Sequence, residues 1–249
     1  RTKGWSAPVG ETLFGSHVVI LGAGGIANDL LPLLSAFDCE TTAIRRSNEK
    51  VRDAHRRLSD ALANEGIDFF VVETQFSANE AAIAVDEARK QGLPILVCMT
   101  YKSTKDRKTD EIIYKTDWGH SPPSLLDALA SGEHSGGDNL LPYVHGIGLN
   151  CGAETQKQDH TGMPYAIEGT RQIGKAFEDR GIAGKTRVAY PNAGMPKLDK
   201  NMETVYSQSP SEMSSRLSDL IEAGAGFVGG CCGTGPEHIA AFRKTLDSL

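Results

Sequence analysis

The chain has 249 residues and a formal net charge of −6, and its hydrophobic and charged fractions of 39% and 23% are ordinary for a soluble globular protein. The acidic balance offers no basic surface for nucleic acid or for an anionic membrane. No apolar stretch approaches the ~20 residues that a helix needs to span a bilayer. We therefore expect neither nucleic acid nor a membrane as a partner.

The five cysteines are irregularly spaced, which argues against a disulfide framework and favours a reducing compartment. No signal peptide is visible, although the chain opens at Arg1 rather than at a methionine. The expected location is the cytoplasm.

The N-terminal segment predicts a strand, a glycine-rich turn and a helix. Residues 18–21 are apolar, the sequence GAGGIA follows at 22–27, and a helix is predicted over 26–37. This GxGxxA pattern is typical of a turn in which backbone N–H groups and a helix N-terminus contact a pyrophosphate. A second strand over 41–44 would complete a Rossmann-like βαβ unit within residues 1–47.

Four residues of this segment would form the nucleotide site. Gly22 and Gly24 would let the backbone approach the phosphates, because glycine has no side chain in the way. Arg45 and Arg46 follow the second strand, where an acidic residue would bind the ribose hydroxyls of NAD. Arginines at this position suit the 2′-phosphate of NADP. Since one βαβ unit is only part of a dinucleotide-binding domain, a purely structural role is the first interpretation of the segment and a phosphate site the second.

Strands and helices alternate through the rest of the chain. Strands are predicted at 68–72, 95–100, 143–149, 186–190 and 225–228, and helices at 51–65, 78–91, from 122, at 166–180, 211–223 and 236–246. The stretches 101–121 and 192–210 are predicted to be loops. The alternation implies parallel pairing with right-handed crossovers, as in a (β/α) barrel. With the N-terminal pair we count about seven parallel strands against the eight of a closed barrel, so we expect an incomplete or hybrid α/β barrel.

Three cysteines follow predicted strand ends. Cys151 comes after the apolar run 143–149, and Cys231 and Cys232 come after 225–228, behind two glycines. Neighbouring side chains of a strand point to opposite faces, so two adjacent cysteines reach one spot only where glycines break the strand. Three protein ligands leave a zinc ion one open position, as in catalytic sites. The alternative is that these cysteines are small buried hydrophobic residues, because no CxxC spacing is present. Cys98, inside a predicted strand, is interpreted as structural.

Two further polar residues end predicted strands. Glu73 follows 68–72 and Asn192 follows 186–190. The carboxyl ends of barrel strands share one rim, so both side chains are expected beside the cysteines. Glu73 could instead be a carboxylate that stabilises a helix N-terminus, and Asn192 could be a turn former before Gly194.

The motifs at these strand ends resemble those of one enzyme family. The chain has GLNC at 148–151, YPNAGMP at 190–196, FVGGCCGT at 227–234 and PEHI at 236–239. In this order they resemble the zinc-dependent homocysteine S-methyltransferases, and the resemblance covers about residues 51–249.

The resemblance implies a role for each of these residues. Cys151, Cys231 and Cys232 would bind Zn²⁺, Glu73 would bind the amino group of homocysteine, and Asn192 would orient this substrate. A small-molecule methyl donor would then methylate the homocysteine thiolate, giving methionine. The sequence does not identify the donor.

The first 47 residues resemble something else, namely the start of the nucleotide domain of D-2-hydroxyacid dehydrogenases. The Asp-Gly-Ala-Met-Gly-Thr-like first strand of the methyltransferase family, and the two strands after it, are not found. We therefore interpret the chain as a chimera of a 1–47 segment and a 48–249 barrel portion that together form one compact unit. Two alternatives to a methyltransferase stay open: an NADP-binding module, and a hybrid scaffold without activity because the first family strands are missing.

Overall fold

The structure, a computed structural model, describes residues 48–106, 108–152 and 161–248, and in addition the backbone of residues 17–21 and 40–44; for Thr104 too the backbone alone is described. The chain divides into two units, Arg1–Val51 and Arg52–Leu249. The predicted nucleotide-site residues lie outside the described residues: Gly22, Gly24, Arg45 and Arg46.

The first unit contains two described strands, β1 (His17–Leu21) and β2 (Glu40–Ile44). They pair in parallel with each other, in register from His17 opposite Glu40 to Leu21 opposite Ile44. The two predicted N-terminal strands are confirmed, whereas the helix predicted over 26–37 lies outside the described residues.

The described strands that follow alternate with helices. The strands are β3 (Phe70–Gln75), β4 (Ile95–Met99), β5 (Lys102–Lys105), β6 (Ile112–Lys115), β7 (Val144–Cys151), β8 (Thr186–Pro191), β9 (Pro196–Leu198), β10 (Thr204–Tyr206) and β11 (Ala225–Val228). The helices are α1 (Asn48–Asn64), α2 (Ala78–Ala88), α3 (Pro122–Ala130), α4 (Met163–Asp179), α5 (Pro210–Ser215), α6 (Leu217–Glu222) and α7 (Pro236–Leu246), with short 3-10 helices at Arg89–Gln91 and Leu141–Tyr143. Among the described helices, none has the length and apolar character to cross a bilayer.

Five of these strands form one parallel sheet in the order β11-β8-β7-β4-β3. This order follows the chain from one edge to the other, as in a (β/α) barrel, whereas a doubly wound sheet reverses direction. The expected count of seven strands in one barrel is wrong. The physical reason is that β1 and β2 pair with each other in a separate two-stranded sheet rather than with an edge of the larger one.

The five-stranded sheet is strongly curved. Its two edge strands would lie about 19 Å apart in a flat sheet, at ~4.8 Å per step. Phe69, which immediately precedes β3, nevertheless meets Phe227 of β11 edge to face, with 6.1 Å between ring centroids. Phe227 also contacts the ring of Tyr190 at 6.0 Å. The curvature defines a concave inner face on which side chains from both edges meet, as expected of part of a barrel.

The two faces of the sheet are packed differently. The outer face and the helices form the main core, to which β4 contributes the buried Ile95, Val97 and Met99. On the inner face a smaller cluster forms around the buried side chains of Leu96, Cys98 and Val188. Both faces of β4 are therefore buried, which explains its continuous apolar sequence.

The helices begin where the sequence supplies caps. Ser77 accepts the N–H of Glu80 at 3.3 Å ahead of α2, and Ser209 and Glu212 form a reciprocal capping box at α5. Proline occupies the first positions of α3, α5 and α7, where its missing N–H costs nothing. These local signals explain why several helix starts could be predicted.

Two stretches predicted as loops contain β-hairpins, β5–β6 within 101–121 and β9–β10 within 192–210. Each hairpin turn is organised by an aspartate: Asp106 accepts the N–H groups of Lys108 and Thr109, and Asp199 accepts those of Asn201 and Glu203. Because the strands are only three or four residues long, they are too short to show the alternation that predicts a strand.

A first prediction concerns two glycines on the inner face of β7. A Cβ on Gly148 would lie 1.8 Å from the carbonyl oxygen of Val188, whereas a Cβ on Gly146 would meet mainly the side chains of Leu96 and Val188, at 2.7 and 2.9 Å. The side chains of Leu96 and Val188 can change rotamer, but the backbone of Val188 is held by its pairing with β7. Gly148→Ala should therefore cost ~3 kcal/mol or more of unfolding free energy in urea titrations and Gly146→Ala only ~1 kcal/mol. Equal losses would contradict this packing.

A second prediction concerns His120, whose Nδ1 accepts the backbone N–H of Ala78 at 2.7 Å, at the start of α2. Burial lowers the pKa of His120 below its usual value of ~6.5. The unfolded chain then binds the proton first, so stability is complete above pH ~6.5 and falls as the pH drops through the folded-state pKa. His120→Asn, which keeps an acceptor but does not titrate, should flatten this part of a stability profile between pH 8 and 5.5. An unchanged profile would contradict the assignment.

Candidate metal centre

Three sulfur atoms meet at the carboxyl end of the sheet. The Sγ of Cys232 lies 3.8 Å from the Sγ of Cys151 and 3.9 Å from the Sγ of Cys231. All three Sγ atoms lie within 4.8 Å of one another, with two of the side chains half-buried and Cys232 exposed. The cysteines of two distant segments are therefore brought together, as the sequence predicted.

Cys151 leaves β7 through an unusual backbone turn. Its φ is +54° and that of Gly152 is +83°, so two successive residues are left-handed. A Cβ on Gly152 would lie 2.2 Å from the hydroxyl of Tyr165, which makes glycine necessary there. The turn carries the chain away from the strand and leaves the sulfur at the rim.

The Cys231–Cys232 loop is fastened to β8, the strand beside it. Backbone N–H groups of Gly229 and Cys231 donate to the carbonyls of Ala189 and Pro191 at 3.0 and 2.9 Å. The carbonyl of Cys231 in turn accepts the hydroxyl of Thr234 at 2.7 Å. These bonds extend the pairing of β11 with β8 beyond the strand end, so both cysteines are positioned by backbone.

Gly233 completes this loop. Its φ is +79°, and a Cβ there would lie 2.2 Å from the ring of Tyr206. The ring of Tyr206 therefore packs directly on the loop that carries the two cysteines.

Asn192 bridges the two cysteine segments. Its Oδ1 accepts the N–H of Cys232 at 3.1 Å, and its Nδ2 donates to the Sγ of Cys151 at 3.6 Å. The side chain is buried. The residue predicted to orient substrate thus also holds the sulfur cluster together.

Glu73 stands near the end of β3 with an exposed side chain. Its charge adds to the effect of burial, which raises the pKa of Tyr190 to about 12 and also raises the pKa of Cys98. Side chains alternate along a strand, so Glu73 lies on the same concave side of β3 as Val71, which packs against the inner-face cluster. Its neighbour Thr74 has a φ of +55°, and the register of β3 against β4 shifts between Val72 and Gln75.

Sequence reasoning missed Asn150 as a functional residue. Its fully buried side chain exchanges two hydrogen bonds with Thr74 and donates to the Sγ of Cys231 at 3.8 Å. The available signal was its position next to Cys151 at a strand end, where a buried carboxamide needs several partners.

The pKa values of Cys151 and Cys231 are shifted in opposite directions. A hydrogen bond from Cys231 lowers the pKa of Cys151 to about 5, and hydrogen bonds from Asn192, Cys232 and the backbone of Gly152 act in the same direction. The pKa of Cys231 is raised, first by the hydrogen bond that it donates to Cys151 and then by burial. Of these two residues, Cys151 is therefore the one whose thiolate form its neighbours favour.

The donor set fits a zinc ion. Zn–S bonds of ~2.3 Å at tetrahedral angles place two sulfur atoms about 3.8 Å apart. The separations of 3.8 and 3.9 Å around Cys232 agree with this value. Three thiolates suit zinc rather than magnesium or calcium, which prefer oxygen ligands. Cys98 does not join the cluster: it is fully buried on the inner face, as its structural interpretation predicted.

A third prediction follows from this geometry. The purified protein should bind about one equivalent of Zn²⁺, and replacing any one of Cys151, Cys231 or Cys232 with serine should lower the affinity sharply, because two sulfurs do not complete the site. Chelator competition with metal analysis measures this. Cys98→Ala is the matched control and should bind zinc as the unaltered chain does. Retention of full affinity by one of the serine variants would remove that sulfur from the site.

Comparison with known proteins shows which family the chain matches. The sequence profile described as homocysteine S-methyltransferase matches residues 7–246. The chain is 25% identical to homocysteine S-methyltransferase 4 of Zea mays over 203 residues, which are 80% of this chain and 50% of that protein. It is 26% identical to homocysteine S-methyltransferase 1 of Arabidopsis thaliana over 205 residues, 80% of this chain and 52% of that protein. The chain spans about half the length of these relatives.

A solved structure shares the fold. The crystal structure of the homocysteine methyltransferase MmuM from Escherichia coli, in its apo form, matches with a TM-score of 0.53 and 18% identity, over 88% of this chain and 67% of that one. The family match begins at residue 7, well before the expected boundary near residue 51. Neither the fold match nor these relatives lend support to a dehydrogenase-like segment or to a chimera.

Proposed function

Because the chain belongs to the homocysteine S-methyltransferase family, we propose that it transfers a methyl group to the thiol of homocysteine, giving methionine. The observation that carries the proposal is the convergence of three sulfurs within 4.8 Å at the strand-end rim. In the reaction the bond between sulfur and the methyl carbon forms while the bond between that carbon and the donor atom breaks. The bonding pair stays with the donor, and the thiol proton is lost to water.

We propose Zn²⁺ as the resident metal, with Cys151, Cys231 and Cys232 as its ligands. When bound, zinc supplies a Lewis acid that keeps a substrate thiol in its thiolate form near neutral pH. This chain's contribution is the position of the ligands: two left-handed residues turn Cys151 to the rim, and the pairing of the Cys231–Cys232 loop with β8 holds the other two.

Two side chains would bind and orient the substrate. Glu73, exposed and near the end of β3, would bind the ammonium group of homocysteine, because a carboxylate pairs with an ammonium by a charge-assisted hydrogen bond. Asn192 would orient the amino acid through the sulfur cluster that it already bridges. Correct orientation of thiolate and methyl donor accounts for much of the rate in such a transfer.

Two alternatives from the sequence stay open. One is a folded hybrid scaffold that binds metal without turnover. An NADP site at Gly22, Gly24, Arg45 and Arg46 stays a sequence prediction outside the described residues, and so do the chimeric origin and the division at residue 47. A reducing compartment such as the cytoplasm would suit the thiolate site.

A fourth prediction tests the function. The zinc-loaded protein should convert homocysteine to methionine with at least one of betaine, S-methylmethionine or a methyl folate, measured by mass spectrometry. Glu73→Gln should raise the KM for homocysteine about tenfold or more, because a charged partner of the ammonium is lost. The matched substrate is 4-mercaptobutanoate, which lacks the amino group and should be indifferent to the change.

Three outcomes separate the possibilities. Zinc binding without methionine from any donor would leave the inactive scaffold as the better description. Turnover that is equally impaired for both thiols would remove Glu73 from amino-group recognition. Homocysteine binding without zinc would overturn the proposed site.

A further inference from the structure

The side chain of Asn150 uses its full hydrogen-bonding capacity. Its Oδ1 accepts the backbone N–H of Thr74 at 2.9 Å and the hydroxyl of Thr100 at 3.4 Å. Its Nδ2 donates to the Oγ1 of Thr74 at 2.9 Å and to the Sγ of Cys231 at 3.8 Å. A carboxamide has two acceptor lone pairs and two donor hydrogens, and all four are engaged.

These partners determine the orientation of the carboxamide. The backbone N–H of Thr74 can only donate, so the atom facing it at 2.9 Å must be the oxygen. The nitrogen is then the atom that faces Cys231, and the bond to sulfur is an N–H···S hydrogen bond. A flipped carboxamide would place two donors against each other.

The four bonds join separate strands. Asn150 belongs to the central strand β7, while Thr74 is the next-to-last residue of the edge strand β3 and Cys231 follows the opposite edge strand β11. Since β4 lies between β7 and β3, no backbone ladder connects Asn150 with Thr74. The carboxamide therefore spans the rim from the sulfur cluster to the end of β3.

At Thr74 the carboxamide replaces a bond of the sheet ladder. The register of β3 against β4 shifts between Val72 and Gln75, so the bulged residues have lost their regular partners. Thr74 is also left-handed at φ +55°, which a β-branched residue adopts only when its surroundings hold it there. Two bonds from Asn150 hold this residue, and the direction of the adjacent Glu73 depends on it.

We propose that Asn150 is a positioning residue: it connects the Cys231 sulfur to the Glu73–Thr74 turn, so that the groups that bind the thiol and the ammonium of one substrate keep a constant separation. The inference rests on the proposed function for its substrate. The N–H···S bond by itself does not depend on that function, since it concerns only the sulfur site.

The sulfur half of the proposal is tested with cobalt. Co²⁺ replaces zinc in the unaltered chain, in Asn150→Ala and in the control Asn139→Ala, which removes an exposed carboxamide that accepts the N–H of Leu141 at 2.9 Å. Loss of the N–H···S bond should shift the sulfur-to-cobalt charge-transfer band and weaken Zn²⁺ binding ~10-fold in chelator competition. A band that coincides in all three proteins would overturn the contact.

The substrate half is tested by a double-mutant cycle in calorimetric titrations of the zinc-loaded protein with homocysteine. Asn150→Ala should raise the Kd about tenfold in the unaltered background but less than about twofold in the Glu73→Gln background, because its effect passes through Glu73. Equal factors in both backgrounds would show that Asn150 does not act through Glu73 and would overturn the proposal.

Two further outcomes are a variant that does not fold and a chain that does not bind homocysteine. If Asn150→Ala does not fold, Asn150→Ser replaces it, because one short hydroxyl cannot serve both Thr74 and Cys231 and the same shifts are expected. If the unaltered zinc-loaded chain does not bind homocysteine, the proposed function fails and with it the substrate half, while the cobalt band still decides the sulfur half.

Discussion

The whole site depends on the common polarity of the five parallel strands. Since all of them run in one direction, their carboxyl ends lie on a single rim, and residues that follow different strands meet there. Cys151 at the end of β7 and the Cys231–Cys232 loop after β11 become neighbours across β8 for this reason. β8 itself contributes the carbonyls that hold the loop and, directly after its last residue, Asn192. An antiparallel strand at any of these places would send its end to the opposite rim.

Two of the four described non-glycine residues with a positive φ lie at this rim. Thr74 and Cys151 are both left-handed without being glycine, at a cost of ~1–3 kcal/mol each. Each lies against a buried asparagine, Thr74 against Asn150 and Cys151 against Asn192. The two carboxamides thus repeat one arrangement, in which the nitrogen donates to a sulfur and the oxygen accepts a backbone N–H of a neighbouring segment. Buried, fully hydrogen-bonded networks of this kind favour a single geometry.

The inner face of the sheet is only partly covered by other side chains. In a closed barrel, layers of side chains from alternate strands fill the interior. Here Leu96, Cys98 and Val188 are buried, yet the two rings that meet across the curve, Phe69 and Phe227, are still 40% and 39% exposed. The five curved strands of the described residues are consistent with an incomplete barrel.

The sequence alone determined the order of the strands and helices, because apolar runs, caps and prolines act locally: the bounds predicted for β11 and α7 agree with the structure. The sequence also identified the three cysteines as candidate zinc ligands, because zinc is bound by a small set of donor atoms that includes the cysteine sulfur. Its predictions for 101–121 and 192–210 missed two hairpins, because strands of three or four residues are recognised only through their pairing. Only the tertiary structure decided which strands share a sheet, and hence that the sheet has five of them. It alone revealed Asn150, because the partners of this residue are 50 to 81 positions away in sequence and a carboxamide carries no local sign of what it will bind.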